Sequence, residues 1–243
     1  MLYVTANHYP SGEGRILVYD AQHEYQLKGS LEVGGIGPHE VRLHPDGQTL
    51  VVALGGIRTH PDHDRMKLNL SDMQPALLLL DRDSGRVVQR HEPSHHQLSC
   101  RHIDVSPEGI VIAGYQFEGP TWETPPLVAR LDCAQEAFSE IRLPAQSDLR
   151  NYIASVAIDP VSHVAAVTAP RGNRAVLLDY LSGEHLETLE ITDVAGAIAD
   201  KQAFMFTSGM GGIHRSRASH VNRIEDTDLR WDNHLTSTGL APG

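Results

Sequence analysis

The sequence predicts an all-β fold, a β-propeller built of four-stranded antiparallel blades. Short apolar segments rich in Val, Ile, Leu and Tyr recur along the chain, and these residue types are typical of strands. Segments ending in aspartate recur at Asp20, Asp81, Asp132 and Asp179, which lie 61, 51 and 47 residues apart. These distances suit a propeller repeat of about 40–50 residues with loops of varying length. No amphipathic segment persists for three helical turns, so helices are not expected to build the core.

An apolar run forms the predicted core strand of each blade. Five such runs recur, at Leu2–Ala6, Leu50–Leu54, Ile110–Gly114, Val164–Thr168 and Ala203–Thr207. Three of them follow a proline-containing turn, at Val41–Gly47, Ile103–Gly109 and Val156–Ser162. Proline fixes φ and glycine accepts positive φ, so these segments favour a tight turn between two strands. We expect the three runs that follow these turns to be buried inner strands.

A third and a fourth strand complete each predicted blade. The third strands end in the repeated aspartates: Arg15–Asp20, Ala76–Asp81, Leu127–Asp132 and Ala175–Asp179. Two of them lead into the same hairpin turn, DRDSG and DYLSG. The fourth strands then follow: Tyr25–Val33, Arg86–Pro93, Ala137–Pro144 and Glu184–Ile191.

About five blades are predicted, in a single propeller domain that spans residues 1–243. The last unit contains Ala203–Gly209, His220–Asp226 and Trp231–Ser237. The chain opens directly on an apolar strand, with no earlier strand in its unit. Either the terminal Trp231–Ser237 segment completes the first blade, or sequence upstream is missing. We expect missing N-terminal blades, and therefore an arc with an exposed apolar edge near Leu2–Thr5.

The composition excludes several classes of partner. With 20 Lys and Arg against 31 Asp and Glu, the formal charge is −11, and no stretch concentrates basic residues. A nucleic acid is therefore not an expected partner. The longest apolar runs are far shorter than the roughly 20 residues that span a bilayer, and the first residues lack the pattern of a signal peptide. We expect no membrane span and no export signal in these residues.

Cysteine and histidine usage differ in what they indicate. Cys100 and Cys133 form no CxxC motif, and we expect both to be packed, unpaired thiols. The 15 histidines are more informative because they cluster, at His39/His44, His60/His63 and His91/His95/His96/His102. Imidazole titrates near neutral pH and binds metal ions, so these clusters are candidate sites.

Six short motifs together resemble one bacterial family of WD40-like propellers, the domain-of-unknown-function 1513 family. They are GIGPHE (Gly35–Glu40), LGGIRTHP (Leu54–Pro61), KLNL (Lys67–Leu70), LSCRH (Leu98–His102), YQFEG (Tyr115–Gly119) and WDNH (Trp231–His234). The resemblance implies a seven-bladed propeller that is usually exported to the periplasm. Members are often encoded near imelysin-like and haem-peroxidase-like proteins, so the resemblance implies these as partners and a link to iron metabolism in the envelope.

The GPHE motif carries the first candidate ligand residues, His39 and Glu40. Because side chains alternate along a strand, we expect the two to face opposite surfaces. His39 then has two interpretations. Near the central channel it is a metal ligand or a proton carrier. In the structural interpretation it bonds a carbonyl of the neighbouring blade.

The connection from Gly55 to Gln74 is too long and polar for a hairpin loop. His60 and His63 are its candidate metal ligands, because imidazole beside carboxylate suits zinc, iron or other divalent ions. The alternative is a loop held by its own aspartate turns. The Gly55–Gly56 pair is expected to form a turn or a close backbone approach.

A second ligand-binding group is predicted around Arg101 and His102. Arg101 is a candidate anion anchor, or alternatively a bridge between blades through a buried carboxylate. His102 is expected to converge with His39. Gln116 and Glu118 follow a buried strand and face the predicted channel mouth. At the C-terminus, Trp231, Asp232 and His234 are expected to close the sheet.

Three functions compete at this point. The motifs of nucleophile elbows, HExxH metalloproteases, P-loops and dinucleotide folds are absent, which favours a non-enzymatic binding or scaffold protein with a protein partner or small ligand. The opening Leu2–Asp20 is similar to repeats of lactonase-like propellers, which implies a hydrolase using channel His, Arg and Glu. The histidine content favours a protein that binds a divalent metal. Fold analogy does not choose between them.

Overall fold

A computed structural model describes residues 1–9, 11–64, 66–217 and 220–236. Its regular structure is almost entirely strand: β1 Leu2–His8, β2 Glu13–Asp20, β3 Gln26–Ile36, β4 Pro38–Leu43, β5 Thr49–Leu54, β6 Ala76–Asp81, β7 Val87–His91, β8 Leu98–Val105, β9 Ile110–Phe117, β10 Val128–Asp132, β11 Ala137–Ile141, β12 Ser155–Asp159, β13 Val164–Ala169, β14 Arg174–Asp179, β15 His185–Glu190, β16 Val194–Ala199, β17 Phe204–Ser208, β18 Gly212–Arg217 and β19 His220–Asp226. Three short 3-10 turns cover Pro61–His63, Gln146–Leu149 and Pro170–Gly172. No helix in these ranges is long and apolar enough to cross a membrane.

The strands form five antiparallel sheets in the order of a β-propeller, as predicted. Four sheets have four strands each, running β4 to β7, β8 to β11, β12 to β15 and β16 to β19. The first sheet has three strands, β1, β2 and β3. Within each sheet, every strand pairs with its neighbour in sequence, so each blade is an antiparallel meander.

The two predicted Asp-Ser-Gly turns have the same geometry. In the turn after β6, Asp81 Oδ1 accepts a hydrogen bond from the Ser84 amide at 2.7 Å, and Gly85 follows at φ 73°. In the turn after β14, Asp179 Oδ1 accepts from the Ser182 amide at 2.8 Å, and the next glycine has φ 82°. Because the aspartate satisfies the turn amide and glycine supplies the positive φ, the motif specifies the hairpin locally.

The first strands of four sheets meet at the centre of the fold. β4 packs against β8, β8 against β12, and β12 against β16, whereas the outer strands β7, β11 and β15 are more exposed. The runs Leu50–Leu54, Ile110–Gly114 and Val164–Thr168 are buried, as predicted, but they lie in the second place of their sheets. The strand nearest the axis is in each case the one that precedes them.

The first sheet lacks a strand in the innermost place within the described ranges. β1 packs against β4 in the way that β5 packs against β8 and β13 against β16, so β1 occupies the second place. No strand ladder joins the last sheet to the first in the part of the chain that the structure describes. The expected closure of a sheet by the terminal segment is wrong for Trp231–Thr236, which forms no strand. Ser237 lies outside the described residues.

The core is built from the second and third strands. β9 is buried along its whole length, and β5 and β6 are buried except at one end. Cys100 and Cys133 lie within this core as free thiols, as predicted, and burial raises their pKa to about 12 and about 11. The core therefore makes a rigid support for the residues on the innermost strands.

Candidate functional site

The candidate site lies on the innermost strands β4 and β8, where each strand carries a β-bulge. Opposite β5, the register shifts between Pro38 and Glu40, so His39 is the extra residue. Opposite β9, it shifts between Cys100 and His102, so Arg101 is the extra residue. A bulge breaks the alternation of side chains and re-aims one of them, and bulges are common beside functional sites.

The bulge overturns the expectation that His39 and Glu40 face opposite surfaces. Both approach His102 on the neighbouring blade. The His39 and His102 ring centroids are 5.0 Å apart with the rings edge to face, as the predicted convergence requires. Glu40 Oε2 lies 3.4 Å from His102 Nδ1. Alternation holds only in a regular strand, and the extra residue removes it here.

His39 bonds a carbonyl of the neighbouring blade, which confirms the structural interpretation of this residue. Its Nδ1 donates to the Arg101 carbonyl oxygen at 2.8 Å, and this bond fixes the ring and its tautomer. Burial, followed by the positive charges of Arg101 and His102, lowers the His39 pKa to about 3. His39 is therefore neutral at physiological pH.

Glu40 uses one carboxylate oxygen within its own strand and the other across the boundary between the two blades. Oε1 lies 2.8 Å from Arg42 Nη2, and Oε2 accepts from the Ile103 amide at 3.3 Å. Burial favours the protonated acid, but the nearby His102 ring, the Arg42 guanidinium and the Ile103 amide outweigh it, so the net pKa of Glu40 is lowered. The carboxylate is thus charged and oriented.

His102 is almost completely buried, with 1% of its surface exposed. Neither ring nitrogen has a hydrogen-bond partner among the described residues. Burial lowers its pKa, and the neighbouring Glu40 carboxylate opposes that shift. Buried polar groups are normally hydrogen-bonded, so an imidazole whose Nε2 has no partner and whose Nδ1 has only a 3.4 Å contact with Glu40 Oε2 needs an explanation.

Arg101 is partly buried beside the Gly55 backbone. A Cβ at Gly55 would stand 3.4 Å from Arg101 Nη1 and 3.0 Å from Ser99 Oγ, so the missing side chain leaves room for the guanidinium. Within the described residues no carboxylate lies within 4.0 Å of Arg101, and its Nε has no partner. The alternative of a bridge through a buried carboxylate is therefore wrong. Burial lowers the Arg101 pKa, which Glu118 and Tyr152 partly offset.

The structure separates Gln116 and Glu118 from this group. Gln116 is buried on β9, and its Nε2 donates to the Ile153 carbonyl at 3.2 Å. Glu118 forms an ion pair with Lys67 of the long loop. It is near enough to influence Arg101 but does not bond to it. Their predicted ligand-binding role stays a prediction.

The predicted metal ligands of the long loop lie apart from the channel. His60 Nδ1 accepts from the Asp62 amide at 3.2 Å, and the His60 and His63 rings are 5.7 Å apart. The loop is held mainly by Asn69, which bonds the Arg58 amide and the Gly56 carbonyl. A metal site at His60 and His63 stays a prediction.

His234 joins the site, which the sequence reasoning missed. Its ring centroid lies 5.1 Å from that of His102. Glu40, His102 and His234 each offer one ligand atom, and these atoms lie within 4.8 Å of one another. The WDNH motif contained the signal, but nothing in the sequence showed that the terminal segment crosses towards β8.

Comparisons with known proteins agree with this architecture. A family model described as "Protein of unknown function (DUF1513)" matches residues 1–238. No curated protein matches the chain. Among solved structures, Kuenenia stuttgartiensis hydrazine synthase is similar, with 17% identity and a TM-score of 0.66, over 89% of this chain and 68% of that one. A functionally unknown protein from Desulfotomaculum acetoxidans DSM 771 shares 12% identity with a TM-score of 0.63, over 90% of this chain and 64% of that one. At these identities the likeness shows the fold alone.

Proposed function

We propose that this chain, which belongs to the DUF1513 family, is a propeller binding protein that holds a small acidic ligand at Arg101. One observation carries the proposal. The Arg101 side chain is partly buried, its Nε is withdrawn from solvent without a hydrogen-bond partner among the described residues, and no described carboxylate lies within 4.0 Å of the guanidinium. A buried charge without a partner is costly, so proteins pair such charges or place them where a ligand pairs them.

The chemistry of arginine indicates the class of ligand. The planar guanidinium offers parallel N–H donors that match the two oxygens of a carboxylate or a phosphate. Glu118, the carboxylate that influences the Arg101 pKa, is already paired with Lys67 and leaves Arg101 free for an external anion. The missing side chain at Gly55 leaves the space in which the Arg101 guanidinium lies.

Binding is favoured over hydrolysis by the state of His39. A histidine with a pKa of about 3 is a weak base at neutral pH and is poorly suited to remove a proton from water. Its Nδ1–H is also committed to the Arg101 carbonyl. This argues against the lactonase-like alternative, in which a channel histidine would act as the general base.

We place this binding role in the bacterial periplasm, with imelysin-like or haem-peroxidase-like proteins as partners and a link to iron metabolism. The support is the family resemblance of the six motifs. Fractionation of cells that express the native gene, with detection of the protein by antibody, tests the location. Recovery of the protein only with cytoplasmic markers would contradict it.

Replacing Arg101 tests the proposed ligand class. We expect citrate, gluconate or inorganic phosphate to raise the melting temperature of the native protein and to bind by calorimetry. The Arg101→Gln variant should fold but lose about tenfold or more in affinity, since a charged hydrogen bond contributes roughly 1.5–3 kcal/mol. Arg142→Gln is the matched control, because Arg142 is exposed.

Two results would overturn the proposal. In one, Arg101→Gln lowers the melting temperature strongly and leaves the ligand-induced stabilisation unchanged, which assigns Arg101 to blade packing. In the other, none of the three anions binds, or both variants bind equally well.

A further inference from the structure

We propose that Glu40, His102 and His234 form a binding site for one divalent transition-metal ion. The site uses side chains other than Arg101 and does not depend on the proposed anion binding. Its three donor atoms lie within 4.8 Å of one another, and they come from β4, β8 and the terminal segment Trp231–Thr236. Three distant parts of the chain thus bring ligand-type groups to one point.

The unsatisfied state of His102 points independently to a ligand. Its side chain is 99% withdrawn from solvent, and both Nδ1 and Nε2 lack a hydrogen bond within the described ranges. Leaving a buried polar atom unpaired lowers the stability of the folded state. A metal ion bound to one nitrogen would satisfy it.

The separation of Glu40 and His102 already suits a shared ion. His102 Nδ1 and Glu40 Oε2 are 3.4 Å apart. Two ligands at bond lengths of about 2.0–2.1 Å in a tetrahedral site stand roughly 3.3 Å from each other. Only the His234 side chain has to move closer, and it is exposed and can adjust.

Outer contacts orient the carboxylate ligand. Arg42 holds Glu40 Oε1 at 2.8 Å and leaves Oε2 directed towards His102. Hydrogen bonds of this kind commonly fix the ligating carboxylates of metal sites. Arg42 Nε also donates to the Ile103 carbonyl at 3.3 Å, which ties the arrangement to β8.

The terminal segment is seated so that His234 can serve as the third ligand. A Cβ at Gly196 would lie 3.1 Å from Leu235 Cγ and 3.2 Å from the Asp232 carbonyl oxygen. The glycine therefore allows the segment to pass close against β16. A bound ion would then fasten this segment to the second and third sheets.

The donor set selects the type of ion. Two imidazoles and one carboxylate suit Zn²⁺, Co²⁺ or Fe²⁺, whereas Mg²⁺ and Ca²⁺ prefer oxygen ligands. Three protein ligands also leave coordination positions open for water or a further ligand.

Calorimetric titration of the purified protein with Zn²⁺ tests the site. We expect one Zn²⁺ per chain and no binding of Mg²⁺. The His234→Ala variant should lose roughly tenfold or more in affinity while its melting temperature without metal stays unchanged, since His234 is exposed. His185→Ala, another exposed histidine, should bind as the native chain does. Zn²⁺ should also slow tryptic cleavage after the exposed Arg230 in the native chain and not in His234→Ala.

Three outcomes would overturn the inference. They are no stoichiometric Zn²⁺ binding, equal binding by the native chain and His234→Ala, and a loss of binding in His60→Ala but not in His234→Ala. The last would assign the metal to the long loop. Arg101 is unchanged in all these variants. A failure of the metal-binding experiment therefore does not bear on the proposed binding of an anion at Arg101.

Discussion

The ionisable side chains of the site differ sharply in their surroundings. Among the described residues Arg101 has no carboxylate within 4.0 Å and its Nε has no hydrogen-bond partner, whereas His39 is held neutral and Glu40 is held charged by its neighbours. These states follow from burial at a blade boundary, where each group either finds a partner or departs from its ordinary pKa. A pKa that differs between the folded and the unfolded chain also makes the free energy of unfolding depend on pH.

The depressed pKa of His39 predicts a loss of stability in acid. Its pKa is about 3 when folded and about 6.5 in an unfolded chain. Between these values the unfolded chain binds a proton that the folded chain does not. The stabilisation is therefore complete above pH 6.5 and is lost as the pH falls towards 3, by about 2 kcal/mol at pH 5.

The His39→Asn variant isolates this effect. Its side-chain amide can replace the Nδ1–H donor to the Arg101 carbonyl but does not titrate. We expect the variant to lose less free energy of unfolding between pH 7 and pH 5 than the native chain, as measured by urea denaturation. Equal losses in the two proteins would contradict the assignment.

Most side chains of the site could be identified from the sequence, but the directions in which they point and the contacts between them could not. His39, Arg101 and His102 were found because imidazole and guanidinium stand beside strand boundaries. The surface that Glu40 faces was predicted wrongly, since one inserted residue changes the alternation and leaves no mark in the composition. His234 was missed because its position depends on the path of a segment without regular structure.

Neighbouring innermost strands are joined by a repeated contact that sequence reasoning also missed. Glu40 on β4 accepts from the Ile103 amide of β8 at 3.3 Å, and Asp104 on β8 accepts from the Ile158 amide of β12 at 2.8 Å. A carboxylate on one blade thus satisfies a backbone donor on the next. Burial raises the pKa of Asp104, which its bonds and Arg42 partly oppose. Such contacts set the spacing of the strands that carry the site.

The Gly55–Gly56 pair forms the close backbone approach that was predicted. Gly56 has φ 74°, and a Cβ there would lie 2.7 Å from the Pro75 nitrogen. A side chain would therefore meet both backbone strain and a collision with main-chain atoms. This constraint fixes where the long loop leaves β5, next to Arg101.

Three glycine-to-alanine variants separate the cost of backbone strain at positive φ from the cost of a collision between the new Cβ and main-chain atoms. Gly56→Ala should lower the free energy of unfolding by about 2–3 kcal/mol, and Gly47→Ala, which has φ 68° and open space, by about 1 kcal/mol. Gly29→Ala has neither problem and should be nearly neutral. Chemical denaturation gives the order. A Gly56→Ala variant as stable as Gly29→Ala would show that the loop exit is not constrained.

The hairpins were predictable because their determinants are local. Asp81 and Ser84 in one turn, and Asp179 and Ser182 in another, bond within four residues of each other. The rank of each strand within its sheet was harder to predict. Both the first and second strands are apolar, and only packing between blades shows which of them lies at the axis.

Each of the five sheets packs against the next one along the chain. Within the described residues, no strand of the last sheet is hydrogen-bonded to a strand of the first sheet. The edge of β1 that faces away from β2 has no described strand partner. Leu2 and Val4 on this strand are 42% and 37% exposed. Unpaired apolar edges promote association between chains.

This open edge of β1 predicts concentration-dependent self-association of the protein. Val4→Lys should reduce it, because a charge on an edge strand opposes pairing with another chain. Val161→Lys is the control, since Val161 is exposed in a turn away from this edge. Light scattering over a range of concentrations measures the effect. If both variants associate as the native chain does, the edge of β1 is not the cause.

The proposed small anion binds at Arg101, where the innermost strands β4 and β8 meet. Anomalous diffraction from crystals soaked in selenate, an oxyanion of the proposed class, locates such an anion. We predict a selenium peak within hydrogen-bond distance of the Arg101 guanidinium, and its absence in Arg101→Gln crystals. Selenate found only at exposed basic side chains, with none at Arg101, would contradict the claim.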